Sequence, residues 1–210
     1  CLLTMTTHLY FIRHARSTWN ELGRWQGQAD PPLSENGLAE AHLLAERLRR
    51  TVAIDHIYAS DLQRAATTAG VVADAFGLPV TLDSVWRERG IGQFEGLTSD
   101  EIEARFPEEW ASMHRGPMRA PGGEPAEAVL GRAAQGCDGW RARHTGQTVA
   151  VVSHGGMILA TLVHLLELGP SGFAVLVGGK HTAISQVIIG DHRTYLERLN
   201  DCAHLELSLS

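Results

Sequence analysis

Two apolar runs in this chain end abruptly in basic or imidazole side chains. Leu9-Tyr10-Phe11-Ile12 leads into Arg13-His14, and Thr148-Val149-Ala150-Val151-Val152-Ser153 leads into His154-Gly155-Gly156. Both runs read as buried strands. In parallel α/β sheets, ligands bind beyond the carboxyl ends of the strands. Two such ends therefore predict one site holding a guanidinium and two imidazoles, a set suited to an anion. Arg64 lies one helical turn past a third strand-like run, 54–59, and Glu88 follows a fourth that ends near Leu82. Two arginines can grip phosphate oxygens bidentately. The histidines add donors and one candidate nucleophile, and a nearby carboxylate can serve as general acid or base. Backbone N–H groups at the helix starts after Ser60 and His154 would also face the anion.

The elements that must position these groups alternate along the chain. A polar loop, 16–33, follows the first strand. Ser34 then reads as an N-cap, with Leu38, Ala41, Leu44, Ala45 and Leu48 at helical spacing. Ser60 opens a second helix with Ala65, Ala69, Val72, Ala73 and Phe76 on one face, ended by Gly77 and Pro79. A short strand spans 79–82. The rhythm breaks from Val85, and about residues 86–123 read as a cap inserted over the strand ends. It holds one short helix, with a capping box from Thr98 to Glu101 and an end at Phe106-Pro107, then a loop marked by Pro117, Pro121, Gly122 and Gly123. A long helix is expected over 124–144, another over 156–168 up to Gly169-Pro170, and a final hairpin over 182–189 and 195–199. Repeated strand–helix units predict one α/β domain, 1–210: a three-layer α/β/α sandwich with a mostly parallel central sheet and the small cap.

Composition narrows the partners. The chain has 210 residues, 44% of them hydrophobic and 20% charged, enough for a substantial core. Its net charge of −6, from 18 basic and 24 acidic residues, argues against nucleic-acid or membrane-surface binding. Any anion site must be a local concentration of positive charge. Cys1, Cys137 and Cys202 are an odd number without close spacing, which fits neither a disulfide framework nor a zinc site and suggests a reducing, cytoplasmic setting. Residues 1–10 have no signal-peptide pattern, and no apolar run is long enough to span a membrane. Eleven histidines invite a metal hypothesis, but none pairs with an acid in ligand spacing, and His42, His56, His144 and His192 read as surface or boundary residues.

The ordered motifs resemble the histidine phosphatase superfamily, in its cofactor-dependent phosphoglycerate mutase-like branch. The resemblance runs through Arg13-His14-Ala15-Arg16-Ser17-Thr18-Trp19-Asn20, Arg24-Trp25-Gln26-Gly27 and Ser60-Asp61-Leu62-Gln63-Arg64-Ala65. It continues in Arg87-Glu88, Pro121-Gly122-Gly123-Glu124, Ser153-His154-Gly155-Gly156 and the tail 198–205. It implies that His14 is the nucleophile that becomes phosphorylated. Arg13, Arg64 and His154 would bind the transferring phosphoryl group, with a hydrogen bond from Asn20. Glu88 would protonate the leaving oxygen and then deprotonate water. Gln26 and Gly27 would line the substrate side, and the Gly155 N–H would reach the phosphate. No metal and no cofactor is implied, and a homodimer is compatible with the resemblance.

Glu95 is the rival to Glu88, which is preferred because it follows the strand directly. Asn20 could brace its loop as well as bind. Glu124 reads as a helix-start acid rather than a catalyst. Trp19 and Trp25 read as packing residues, although Trp25 could face the pocket. The signature commonly has glycine at the position of Ala15, and alanine disfavours positive φ. His181-Thr182 also departs from the usual pair. The function expected is a metal-independent phosphatase acting on a small phosphomonoester. One alternative is a mutase that returns the phosphoryl group to substrate, with Arg89, Arg105, Arg115 and Arg119 as cap cations for a second anionic group. The other is an inactive phosphate-ligand-binding module.

Overall fold

The computed structural model describes residues 6–113, 119–169 and 172–206. Cys1, Arg115, Pro117 and Pro170 lie outside them. Six strands form one sheet: β1 (Thr7–Arg13), β2 (His56–Ala59), β3 (Val80–Leu82), β4 (Thr148–Ser153), β5 (Ile184–Ile189) and β6 (Thr194–Asp201). Their order is β3-β2-β4-β1-β5-β6. β1 to β4 are mutually parallel, and β5 alone runs opposite to the rest. The two predicted histidine-bearing strands are direct neighbours, with Arg13 paired to Ser153.

Strand alternation builds the layers. Leu9 and Phe11 of β1 face a core shared with α6 (Ala126–Cys137) and α8 (Gly155–Leu165). Ile12 points the other way, into a core with α2 (Glu35–Thr51) and α3 (Gln63–Phe76). Tyr10 is packed against that second core. The three-layer sandwich expected from the alternating pattern is therefore present. The cap contributes α4 (Ser99–Arg105) and α5 (Pro107–Met113), with a small core of its own around Ile91, Phe94 and Ile102. Thr98 and Glu101 make the predicted capping box. Pro107 ends α4 as expected but also opens α5, because its fixed φ suits a first helical position.

Several boundaries differ from the sequence reading, each for a local reason. The loop after β1 contains a short helix, α1 (Thr18–Glu21), closed by a reciprocal capping box between Ser17 and Asn20. The predicted helix over 124–144 is broken. Gly139, at φ 68°, turns the chain after α6 and starts α7 (Trp140–Arg143). The turn delivers Trp140 beneath the sheet, where its ring stacks on Phe11 at 6.3 Å between centroids. His144, expected near the surface, is buried in the same place, beside the Tyr58 hydroxyl at 3.2 Å. On α2, Leu38 is exposed and Gly37 takes the buried position.

Gly37 has a steric reason to be there. A Cβ on it would lie 1.9 Å from the carbonyl oxygen of Arg16, just after the Arg13-His14 pair. That oxygen also accepts the Ser34 N–H at 3.0 Å, so helix and loop are locked together. The variant Gly37→Ala should lose roughly 1–3 kcal/mol of stability through overpacking. Its urea midpoint is the measurement. An unchanged midpoint would show that α2 can move away from the loop freely.

Candidate active site

Loops beyond the carboxyl ends of β1, β2 and β4 enclose a cavity of about 530 Å3. Of the predicted residues, Arg13, His14, Asn20, Gln26, Gly27, Arg64 and Glu88 line it. His154 and Gly155 do not. His154 is fully buried beside His14, with ring centroids 5.0 Å apart. Gly155 lines a narrow neighbouring cleft and lies against Arg13, where a Cβ would sit 3.6 Å from the guanidinium carbon. Gly156 lines the cavity in its place.

His14 is held in one tautomer. Its Nδ1 lies 2.7 Å from the carbonyl oxygen of Ala15. A carbonyl can only accept, so Nδ1 carries the hydrogen and Nε2 keeps its lone pair. Burial, then the neighbouring His154, Arg64 and Arg13, push the His14 pKa well below its ordinary 6.5. The ring is therefore neutral near pH 7. Ala15 is fully buried and is not among the residues with positive φ, so alanine there carries no left-handed strain. Its N–H donates to the Thr68 hydroxyl at 3.1 Å.

Arg64 is buried and Arg13 half-buried, and both are partly unpaired. Arg64 is 1% exposed and donates to the carbonyls of Ala29 and Gly27 at 2.7 and 2.8 Å. Burial draws its pKa down to about 10 against the pull of Glu88 and Asp30. Arg13 donates to the Gly179 carbonyl at 2.6 Å. Arg13 Nε, Arg64 Nε and His154 Nδ1 are buried nitrogens with no protein partner. Three such atoms around one imidazole would be costly without an acceptor. A tetrahedral oxyanion provides several.

Carboxylates already accept N–H groups at both helix N-termini. Glu88 accepts the N–H groups of Gly156 and Met157 at the start of α8, at 3.0 and 3.2 Å, and that of Arg89 at 2.8 Å. Asp30 accepts the first N–H of α3, from Gln63, at 2.7 Å. Ser60 is not the cap of α3. It lies at 2.9 Å from His154 Nε2 and accepts the Leu62 N–H at 3.3 Å. The α8 N-terminus thus fixes Glu88. Glu95 accepts the Gln28 N–H at 2.9 Å and lies outside the cavity lining, which favours Glu88 of the two. Asn20 braces its loop by accepting the Ser17 N–H at 3.0 Å and also faces the cavity. Gln26 accepts from the Ser17 hydroxyl at 2.8 Å.

Two further residues lie near the site: Arg132, which no sequence signal marked, and His181, noted only as a departure from the family pair. Arg132 of α6 donates to the carbonyls of Val85 and Arg87 at 2.9 and 2.8 Å and pairs with Glu124 at 2.7 Å. It clamps the turn that carries Glu88, and Glu124 is its counterion. Nothing in the spacing marks Arg132 apart from other helical arginines. His181 places its ring 5.7 Å from His14. Its Nε2 is buried without a partner, and burial beside Arg13 lowers its pKa to about 3. The departure at 181–182 from the usual pair was the available signal.

The cap closes the far side. Trp25 lines the cavity and meets Phe94 and Trp110 edge-on. Of the predicted cap cations, Arg89 lines the cavity and donates to the Glu124 carbonyl at 2.7 Å, whereas Arg105 and Arg119 do not reach it. Arg24 also lines it and pairs with Glu101 at 3.2 Å. Among the described residues, no group of three or more His, Cys, Asp or Glu could hold a metal ion, and no helix is long and apolar enough to cross a membrane.

Comparison with known proteins identifies the family. Residues 9–202 fit the family model of the histidine phosphatase superfamily (branch 1). The chain belongs to that superfamily and is a phosphatase of its type. Phosphoserine phosphatase 1 of Hydrogenobacter thermophilus is 35% identical over 199 residues, covering 94% of this chain and 93% of that one. A probable phosphoglycerate mutase of Yersinia pestis is 37% identical over 163 residues, 75% of each chain. Among solved structures, a mycobacterial glucosyl-3-phosphoglycerate phosphatase in complex with VO3 superposes with a TM-score of 0.84 at 32% identity, over 92% of this chain and 98% of that one.

The buried imidazoles carry a pH prediction. His14 and His154 lie well below 6.5, His181 at about 3 and His204 at about 4, all chiefly through burial. Below about pH 6.5 the unfolded chain therefore binds protons that the folded chain refuses, and stability falls as pH falls. Each group contributes up to about 1.4 kcal/mol per pH unit in that window. The urea midpoint should drop between pH 7 and pH 5. A flat profile would mean that these rings are protonated in the folded protein.

Proposed function

We propose that the protein hydrolyses a small phosphorylated metabolite, without a metal, through a phosphohistidine on His14. The observation that carries this reading is the neutral His14 imidazole, with Nε2 unprotonated, surrounded by buried cationic and imidazole nitrogens that have no protein partner. In the first step Nε2 attacks phosphorus and the bond to the ester oxygen breaks. Glu88 gives that oxygen a proton. In the second step Glu88 takes a proton from water, the water oxygen bonds to phosphorus, and the phosphorus–nitrogen bond breaks. Splitting one displacement into two suits a histidine nucleophile. Arg13 and Arg64 balance the charge on the equatorial oxygens. Ser60 already accepts the Leu62 N–H, and with its hydroxyl donating to His154 Nε2 the imidazole presents an Nδ1–H to the same oxygens. Asn20 adds a donor, and Gln26 and Gly27 bound the leaving group.

Hydrolysis is preferred over a mutase cycle because the cavity's further cations, Arg24 and Arg89, each already have an acceptor, in Glu101 and the Glu124 carbonyl. A compact ester suits the size of the cavity, about 530 Å3. The carry-over of a phosphoserine- or phosphoglycerate-type substrate from the relatives supports that class. The three cysteines without disulfide spacing support a cytoplasmic setting.

Three measurements test the reading. His14→Ala should abolish turnover of an aryl phosphate and the acid-labile phosphoenzyme; normal activity would refute the nucleophile. Glu88→Gln should slow alkyl phosphates by about 100-fold or more and activated aryl phosphates much less, because a good leaving group needs little protonation. Equal losses on both would remove Glu88 from the acid role. Activity should also survive excess chelator, and loss of turnover would point to a metal.

A further inference from the structure

His204 is buried in α10 (Ala203–Glu206), away from the cavity, and the proposed chemistry does not use it. Its ring is nevertheless fixed from both sides. Arg47 of α2 donates to Asp201 at 3.0 Å and approaches His204 Nδ1 at 3.3 Å. A guanidinium has only donors, so Nδ1 accepts and Nε2 carries the hydrogen. That Nε2 lies 2.8 Å from the Thr182 hydroxyl oxygen, which is therefore the acceptor. The hydroxyl in turn donates to the His181 carbonyl at 2.7 Å. Hydrogen bonds thus run in one direction, from Arg47 through His204 and Thr182 to the backbone at His181.

Thr182 is an unusual place for that line to end. Its φ is 57°, a left-handed conformation that a β-branched residue rarely adopts. The conformation aims its N–H at the loop after β1, where it lies 3.0 Å from the Arg13 carbonyl and 3.4 Å from that of His14. The preceding residue, His181, packs its ring against His14. A turn that is strained by itself therefore sets the backbone of the phosphate-binding arginine and the nucleophile. Strain of this kind persists only where surrounding contacts over-determine it.

We infer that His204 is a positioning residue: by donating to the Thr182 hydroxyl it holds the left-handed turn that fixes Arg13 and His14 for phosphoryl transfer. The inference rests on the reading of His14 as nucleophile. Space-filling alone would not need one tautomer supplied by Arg47, nor a hydroxyl at residue 182.

The test is the rate of phosphoenzyme formation, followed by rapid quench with an aryl phosphate. His204→Phe fills the space without donating and should slow that step by about 10- to 100-fold, the scale of a small misplacement of reacting groups. His204→Gln restores a donor near the Nε2 position and should recover most of the rate. Thr182→Ala should reproduce the loss and Thr182→Ser should not. The double variant His204→Phe/Thr182→Ala should be no slower than either single one, since both remove the same bond. Wild-type rates in His204→Phe, no recovery in His204→Gln, or multiplying losses in the double variant would overturn the inference. If His204→Phe does not fold, the Thr182→Ala and Thr182→Ser pair decides, and equal rates in the two would overturn it. Persistence of phosphoenzyme in His14→Ala would instead overturn the underlying reading, whatever the His204 variants do.

Discussion

The structure depends on keeping one imidazole uncharged among buried cations. Arg13 and Arg64 are taken out of water beside His14, and their field together with burial disfavours a proton on its ring. A nucleophile needs that lone pair, and an incoming phosphate needs that field. One desolvated cluster meets both demands. The cost is a set of unpartnered buried nitrogens, which an ordinary core would not tolerate. The rest of the fold supports this cluster: two sheet faces packed on separate cores, a glycine contact on the Arg16 carbonyl, and the Arg132 clamp behind Glu88.

Much of the architecture was legible because its signals are local and periodic. The apolar runs at 9–12 and 148–153 marked the two central strands, and Ser34 and Thr98 marked helix starts through side-chain caps that do form. The errors arose where a tertiary contact outweighed local pattern. Residues 124–144 were expected as one helix, but the turn at Gly139 ends α6, and Trp140 stacks on Phe11. Ser60 looked like a cap, but its hydroxyl is used by His154 and Asp30 caps α3 in its place.

The candidate site was legible as a set of residues and only partly as an arrangement. Strand ends predicted that Arg13, His14, Arg64, Glu88 and His154 would share one site; the first four line the cavity, and His154 is buried behind His14. What could not be read was which groups use the helix N-termini. Dipole reasoning assigned them to the anion, whereas Asp30 and Glu88 occupy them, because a carboxylate fixed in the fold is always at hand to take those N–H groups. His181 and Arg132 come close to the site only through the folding of distant segments, so no spacing in the chain announces them.

The cap has a small core of its own, around Ile91, Phe94 and Ile102, apart from the two cores that flank the sheet. Substitutions among residues that shape the outer wall, such as Trp25 and Ile91, are thereby uncoupled from the packing that holds β1 and β4 together. A change in which esters the outer wall admits can therefore be made while the two cores that flank the sheet keep their packing.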